Sequence, residues 1–145
     1  MKLPKGAHVV LGDGEKAMVL ENRGTAFKPD LHITREAVQD NPATRHQGTD
    51  RPGRFPDVGV GRSAVETTDW HQLGKERFAG DLADMLHRAV RRGEITELVL
   101  VAPPGTLGIL RDKLHREVKD RIVGELAKDL TNHRLADINR LIEKA

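Results

Sequence analysis

The residues best suited by type and spacing to do chemistry are four arginines on a glycine- and proline-rich stretch. They are Arg45, Arg51, Arg54 and Arg62, interleaved with Gly53, Gly59, Gly61 and Ser63. A guanidinium is a planar, permanently charged fork that matches phosphate oxygens two at a time. Glycines let the backbone that carries it come close to a ligand. The combination suits an anionic partner, and an RNA backbone, on a ribosome or a tRNA, is the natural one. Phe55 is the one aromatic ring of the stretch and the chain has no tyrosine, so contacts to phosphate or to folded RNA shape are expected ahead of base stacking. The same arginines have an alternative use, pairing with Asp40, Asp50 and Asp57 across the stretch.

Other chemistries find less to work with. Ser63 is the only serine, and it lacks the Gly-x-Ser-x-Gly elbow that exposes a nucleophile. A hydrolase acting at residues 48–66, through Ser63 or through a water held by carboxylates, is nevertheless an alternative. Asp13, Asp50, Asp57, Glu66 and Asp69 flank the region, and a pair of them can in principle hold magnesium beside a phosphate. Their spacing sets no geometry. The seven histidines, His8, His32, His46, His71, His87, His115 and His133, show no HExxH or comparable ligand spacing and read as surface or packing residues. No Gly-x-x-x-x-Gly-Lys loop is present. Gly12-Asp13-Gly14 lacks the third glycine of a dinucleotide fingerprint and is followed by a strand pattern, not a helix. No metal and no cofactor is expected on these grounds. The absence of cysteine removes disulfide scaffolds, thiolate zinc sites and cysteine nucleophiles, and fits a reducing compartment.

The elements that must carry the arginine stretch are legible from periodicity. Ala7–Leu11 and Ala17–Leu20 are short apolar runs around an Asp-Gly turn signal and predict a β-hairpin. Leu31–Val38 predicts a third strand with Leu31, Ile33 and Arg35 on one face. Residues 39–68 lose all periodicity, and a loop of that length inside a compact domain is commonly functional or a solvated insertion. Asp69 and Gln72 resemble an N-cap pair for a helix from Trp70 to Arg92, with Phe78, Leu82, Met85, Leu86 and Ala89 inward and Gly93 as its stop. Leu98–Ala102 is a continuous apolar run, expected to be the central strand, buried on both faces. A helix from Leu107 with Leu107, Leu110, Leu114 and Val118 inward, a strand at Ile122–Leu126 and a terminal helix after a Thr131 cap complete the order. The result is an α/β fold, a mixed sheet of about five strands covered by helices.

Length and charge bound the rest. A chain of 145 residues with 37% hydrophobic residues buries one core, so a single domain over 1–145 is expected. A net charge of +2 is too small to attract polyanions generally, which leaves local clustering to do so. No stretch approaches the roughly 20 apolar residues that span a bilayer, and the N-terminus lacks the apolar run of a secretory signal, so no membrane partner and a cytoplasmic location are expected. An apolar edge at Ala17–Leu20 is a possible pairing site for a second copy in a homo-oligomer.

Read together, Gly12-Asp13-Gly14, Asp50-Arg51-Pro52-Gly53-Arg54, Gly59-Val60-Gly61-Arg62-Ser63-Ala64, Glu76-Arg77-Phe78-Ala79, Leu98-Val99-Leu100-Val101-Ala102-Pro103-Pro104 and Lys128-Asp129-Leu130-Thr131 resemble a bacterial family named for attachment to host cells and related to the middle domain of archaeal and eukaryotic peptide-chain release factors. The resemblance implies a release-factor middle-domain fold and a ribosome or tRNA setting. It also implies, from the family's name, a role in host attachment, direct or regulatory. In the release factors a Gly-Gly-Gln tripeptide on the loop before the long helix places a glutamine beside the peptidyl ester. Val60-Gly61-Arg62 stands in that place here. An amide can position a water or an oxyanion, whereas Arg62 offers donors only and a permanent charge. The resemblance therefore implies a non-catalytic module.

Overall fold

The computed structural model describes residues 2–38 and 64–145. Its elements run β1 (His8–Gly12), β2 (Lys16–Asn22), β3 (Leu31–Val38), α1 (Ala64–Arg91), β4 (Leu98–Val101), α2 (Pro104–Lys113), α3 (Arg116–Lys119), β5 (Ile122–Leu126) and α4 (Leu135–Lys144). The strands form one mixed sheet in the order β3-β2-β1-β4-β5. β1 pairs antiparallel with β2 and parallel with β4, and β4 pairs parallel with β5. The expected α/β class and strand number hold. The centre of the sheet is β1, and β4, buried along its whole length, is interior but one place off centre.

Alternation along the strands divides the core into two layers. Val10, Ala17, Val19, Leu98 and Leu100 face α1, α2 and α3, where Phe78, Leu82, Leu86, Leu110 and Val118 meet them. Val9, Leu11, Leu20, Val99 and Val101 face the other way, onto Leu3, Ile138 and Ile142. Helices on both faces cover what strands this apolar must hide from water, at about 1.5–3 kcal/mol for each large side chain fully buried.

Three local expectations need correction. In β3 a bulge intervenes: Leu20 pairs with Ile33 and Val19 with Arg35, so Thr34 has no partner across the ladder. The Thr34 hydroxyl donates to the Val19 carbonyl at 3.0 Å. An extra residue inverts the alternation, so Arg35 and Ala37 lie on the face opposite to Leu31 and Ile33. Secondly, Ala17–Leu20 is no edge, because β2 is hydrogen-bonded to β1 on one side and β3 on the other. Thirdly, α1 begins at Ala64 and not at Trp70.

The other end of α1 follows the expected stop. Gly93 has φ 78°, its N–H donates to the Val90 carbonyl, and the Glu94 N–H donates to Ala89. That pair of bonds is a Schellman motif, which satisfies carbonyls the helix leaves over. The helix expected from Leu107 starts earlier, at Pro104, and is interrupted. Leu114 adopts an extended conformation and a single turn, α3, follows. All four inward residues, Leu107, Leu110, Leu114 and Val118, are still buried.

The amino-terminal segment is fastened by Asn22, 1% exposed. Its Nδ2 donates to the Leu3 carbonyl at 2.8 Å, and its Oδ1 accepts from the Gly24 and Asp30 N–H groups, both at 2.9 Å. The turn this makes leaves no room at Gly24, where a Cβ would stand 2.4 Å from the Lys28 carbonyl oxygen and 2.8 Å from the Asp30 nitrogen. Gly24→Ala is expected to destabilise the fold by about 1–3 kcal/mol, as overpacking does. At Gly80, inside α1, a Cβ meets nothing within 4 Å, and Gly80→Ala is expected to stabilise by about 1 kcal/mol. Urea midpoints shifting in opposite directions check the pair.

Candidate functional site

Because β1 and β4 run parallel, their carboxyl ends lie at the same end of the sheet, where α/β folds gather their ligand sites. β1 runs into the turn Asp13-Gly14-Glu15. The Asp13 Oδ1 accepts the N–H groups of Glu15 at 2.9 Å and Lys16 at 2.8 Å, an Asx-type turn that the side chain closes on its own backbone. Gly14 sits at φ 92°. A Cβ there would lie 3.4 Å from Cγ of Lys75 on α1 and 3.6 Å from Oγ1 of Thr106 on α2. The turn is thus wedged between two helices.

The third wall comes from the segment after β5. Thr131 is buried, and its Oγ1 lies 2.8 Å from both Asp13 Oδ2 and Asp129 Oδ1. A hydroxyl has one proton to donate, so it serves one carboxylate at a time. Asp129 Oδ1 also accepts the Thr131 N–H at 3.2 Å, and Lys16 Nζ donates to Asn132 Oδ1 at 2.6 Å. Burial pushes the Asp13 carboxyl up, but the Glu15, Lys16 and Thr131 donors and the Lys16 charge outweigh it, and the group titrates below its ordinary value. Thr131 was expected to cap the terminal helix. It does not: that helix starts at Leu135 with Arg134 at its cap position and no side-chain cap bond. Its hydroxyl is used by Asp13 and Asp129 instead.

Arg45, Arg51, Gly53, Arg54, Gly59, Gly61, Arg62 and Ser63 all lie outside the described residues. Their flanks are placed. Val38, the last residue of β3, pairs with Lys16, and Lys75 of α1 stands beside Gly14, its Cγ 3.4 Å from where a Cβ there would lie. At 1.5 Å rise per residue, Ala64 lies about 16 Å further along the helix axis than Lys75. Residue 38 and the Lys75 turn of α1 therefore lie beside the same turn that Asp13 closes.

A second concavity lies at the opposite end of β1. His8, Val19, Glu21, Thr34, Arg35, Ala89, Glu94 and Ile95 enclose about 290 Å³. The inversion at Thr34 is what turns Arg35 toward this space, and its guanidinium bonds Glu94 at 2.5 Å. His8 is 7% exposed, and its Nδ1 has no hydrogen-bond partner among the described residues. Burial lowers the His8 pKa; Glu21 and Glu94 oppose the shift and Arg35 adds to it.

A third grouping has no counterpart in the sequence pattern. Packing of α1 on α2 and α3 brings His87 against His115 and Glu117, with His87 Nε2 2.9 Å from Glu117 Oε1, 30 positions away. No short spacing signals such a cluster, since it exists only once the helices have docked.

A model of bacterial archaeo-eukaryotic release factor family 12 matches residues 6–142. Among solved structures, the chain is similar to an archaeal protein at 10% identity and a TM-score of 0.48, over 96% of this chain and 33% of that one. It is similar to a crystal structure of an archaeal translation termination factor at 8% identity and a TM-score of 0.46, over 95% of this chain and 39% of the other. It spans between a third and two fifths of their lengths. No curated protein matches the chain.

Two outcomes test the site's energetics. Asp13→Ala, which removes three acceptor contacts, is expected to cost about 1–3 kcal/mol at neutral pH, and Thr131→Val about 1 kcal/mol, by urea unfolding. The folded Asp13 pKa lies below its ordinary 3.8, so its contribution is complete above that value and is lost as pH falls through the folded one. Asp13→Asn should flatten this acid limb. His8 is also depressed, from 6.5. Below 6.5 the unfolded ring takes up a proton that the folded ring refuses, so stability should decline as pH falls from there to the folded value. Unfolding curves across that window should show a smaller decline for His8→Leu than for the wild type.

Proposed function

The chain belongs to bacterial archaeo-eukaryotic release factor family 12, and from that membership we propose that it is a non-catalytic module that associates with the ribosome or tRNA and contacts RNA phosphate through Arg51, Arg54 and Arg62. The observation that carries this reading is the match over residues 6–142, which takes in the whole arginine stretch together with the turn and helix that flank it. Two of the motifs that carry the family resemblance, Gly12-Asp13-Gly14 and Lys128-Asp129-Leu130-Thr131, meet physically through the Asp13–Thr131 bond. The flanks of the stretch are held to that junction through Lys16 and Lys75. Such a base can present a cationic segment from one end of the sheet, with Lys75 and Lys128 near its foot.

The reaction named in release factors is not carried over. At the position of the glutamine, Arg62 supplies a charge and donors and no acceptor, which favours holding a phosphate over orienting a water for attack on an ester. Arg45 and the backbone of Gly53, Gly59, Gly61 and Ser63 complete the proposed contact set, the glycines by permitting close approach.

Co-sedimentation of the full chain with ribosomes across a salt series tests the proposal. Engagement of about four phosphates gives a slope of roughly −3 in log affinity against log salt, at the single-strand coefficient of about 0.7 per phosphate. The Arg51→Ala/Arg54→Ala/Arg62→Ala protein is expected to lose most of the retention and most of the slope, with its unfolding curve unchanged. Retention indifferent to both salt and the triple substitution would overturn the assignment to RNA.

A further inference from the structure

We propose that His87, His115 and Glu117 form a site for a divalent transition-metal ion of the Zn²⁺ class, clasping α1 to the corner between α2 and α3. The three side chains come from two stretches: His87 from the carboxyl-terminal half of α1, and His115 and Glu117 from the cap position and the first turn of α3. One donor atom of each lies within 4.8 Å of the other two. His87 Nε2 is 2.9 Å and His115 Nδ1 is 3.7 Å from the same Glu117 Oε1. An ion with tetrahedral bonds of about 2.0–2.1 Å holds its donors about 3.3 Å apart, so the observed separations bracket what is required. The side chains sit at the surface, His115 and Glu117 about half exposed, where exposed rotamers can adjust and an ion has open access.

The donor set selects the ion. Two imidazoles with one carboxylate suit zinc, nickel, copper and cobalt, while magnesium and calcium prefer oxygen alone. Three protein donors leave a fourth position for water.

The rings as they stand are not yet ligating. They stack face to face, centroids 3.8 Å apart and planes 11° from parallel, and an imidazole lone pair lies in the plane of its ring. Two parallel rings cannot aim both lone pairs at one ion between them, so at least one must rotate. His115 Nδ1 also accepts the Glu117 N–H at 3.1 Å, and an ion bound there takes that lone pair from the helix cap. Metal uptake consequently has a structural signature, loss of the imidazole stack, that adventitious binding elsewhere on the chain would lack.

The test is calorimetric titration of the metal-free full chain with Zn²⁺, with histidine ring resonances followed by NMR. Saturation at one ion per chain, with the His87 and His115 ring signals moving together, is expected. His87→Ala and His115→Ala should each weaken binding by at least the about 10–100-fold that losing even an outer-sphere partner costs. Glu117→Gln, which keeps the shape and removes the charge, should weaken it in the same direction, and His32→Ala, which removes an exposed histidine outside the cluster, should leave it unchanged. Binding that persists undiminished in Glu117→Gln and both histidine variants, or a titration that never saturates, would overturn the site.

Discussion

The rest of the molecule is arranged around β1, a strand with no exposed residue. It is hydrogen-bonded on both edges, antiparallel to β2 and parallel to β4, and packed on both faces by separate apolar layers. Alternation of apolar and polar residues normally sets strand register, because a slip by one residue would move polar groups into the core. Here Val9, Val10 and Leu11 are apolar on either face, so alternation cannot discriminate. The polar groups at the two ends do so. His8 pairs with Glu21 and donates its N–H to the Glu97 carbonyl, while Asp13 closes its turn on Glu15 and Lys16. A slip in either direction would break the Asx turn and detach the Thr131 hydroxyl from Asp13.

The parallel β1–β4 pairing then explains why chemistry collects where it does. It sends the exits of both strands to one end, so that the Asp13 turn, the start of α2 at Pro104 and the Asp129–Asn132 segment share a small volume. The opposite end receives what the strands begin with and what α1 ends with: His8, the Schellman turn at Gly93 and the Arg35–Glu94 pair. α1 joins the two ends. Its middle turns form the apolar layer under the sheet, its Lys75 reaches Gly14, and its last turns present His87 to α3.

Most of the fold was legible because its strands and helices carry apolar residues at periods that solvent exposure enforces. Leu98–Val101 could only be a strand buried on both faces, and Leu107, Leu110, Leu114 and Val118 could only share one side. The departures come from groups whose effect is decided in three dimensions. Nothing in Ile33-Thr34-Arg35 declares a bulge, since the Thr34 hydroxyl finds the Val19 carbonyl only after β2 and β3 have paired. Thr131 has the composition of a cap, and tertiary contact with Asp13 outbids that local role. The position of β4 one place from the centre follows from β5 adding outside it, a choice of neighbour that periodicity does not encode. The site was legible in part: Gly12-Asp13-Gly14 and Lys128-Asp129-Leu130-Thr131 each stood out as motifs, and their junction did not. His87, His115 and Glu117 carried no signal in sequence at all, because helix docking alone makes them neighbours.

A long segment between β3 and α1 is compatible with this architecture for an entropic reason. Loop-closure cost grows only as the logarithm of length, about 0.6 kcal/mol per doubling, so extending the connection between two fixed flanks costs far less than its size suggests. What must be fixed is the flanks. Val38 is held through its register with Lys16, and α1 is held by its apolar face and by the contact of Lys75 with Gly14. Both depend on a turn whose geometry Asp13 sets. A substitution at Asp13 therefore acts on the turn beside which both flanks of that connection are placed.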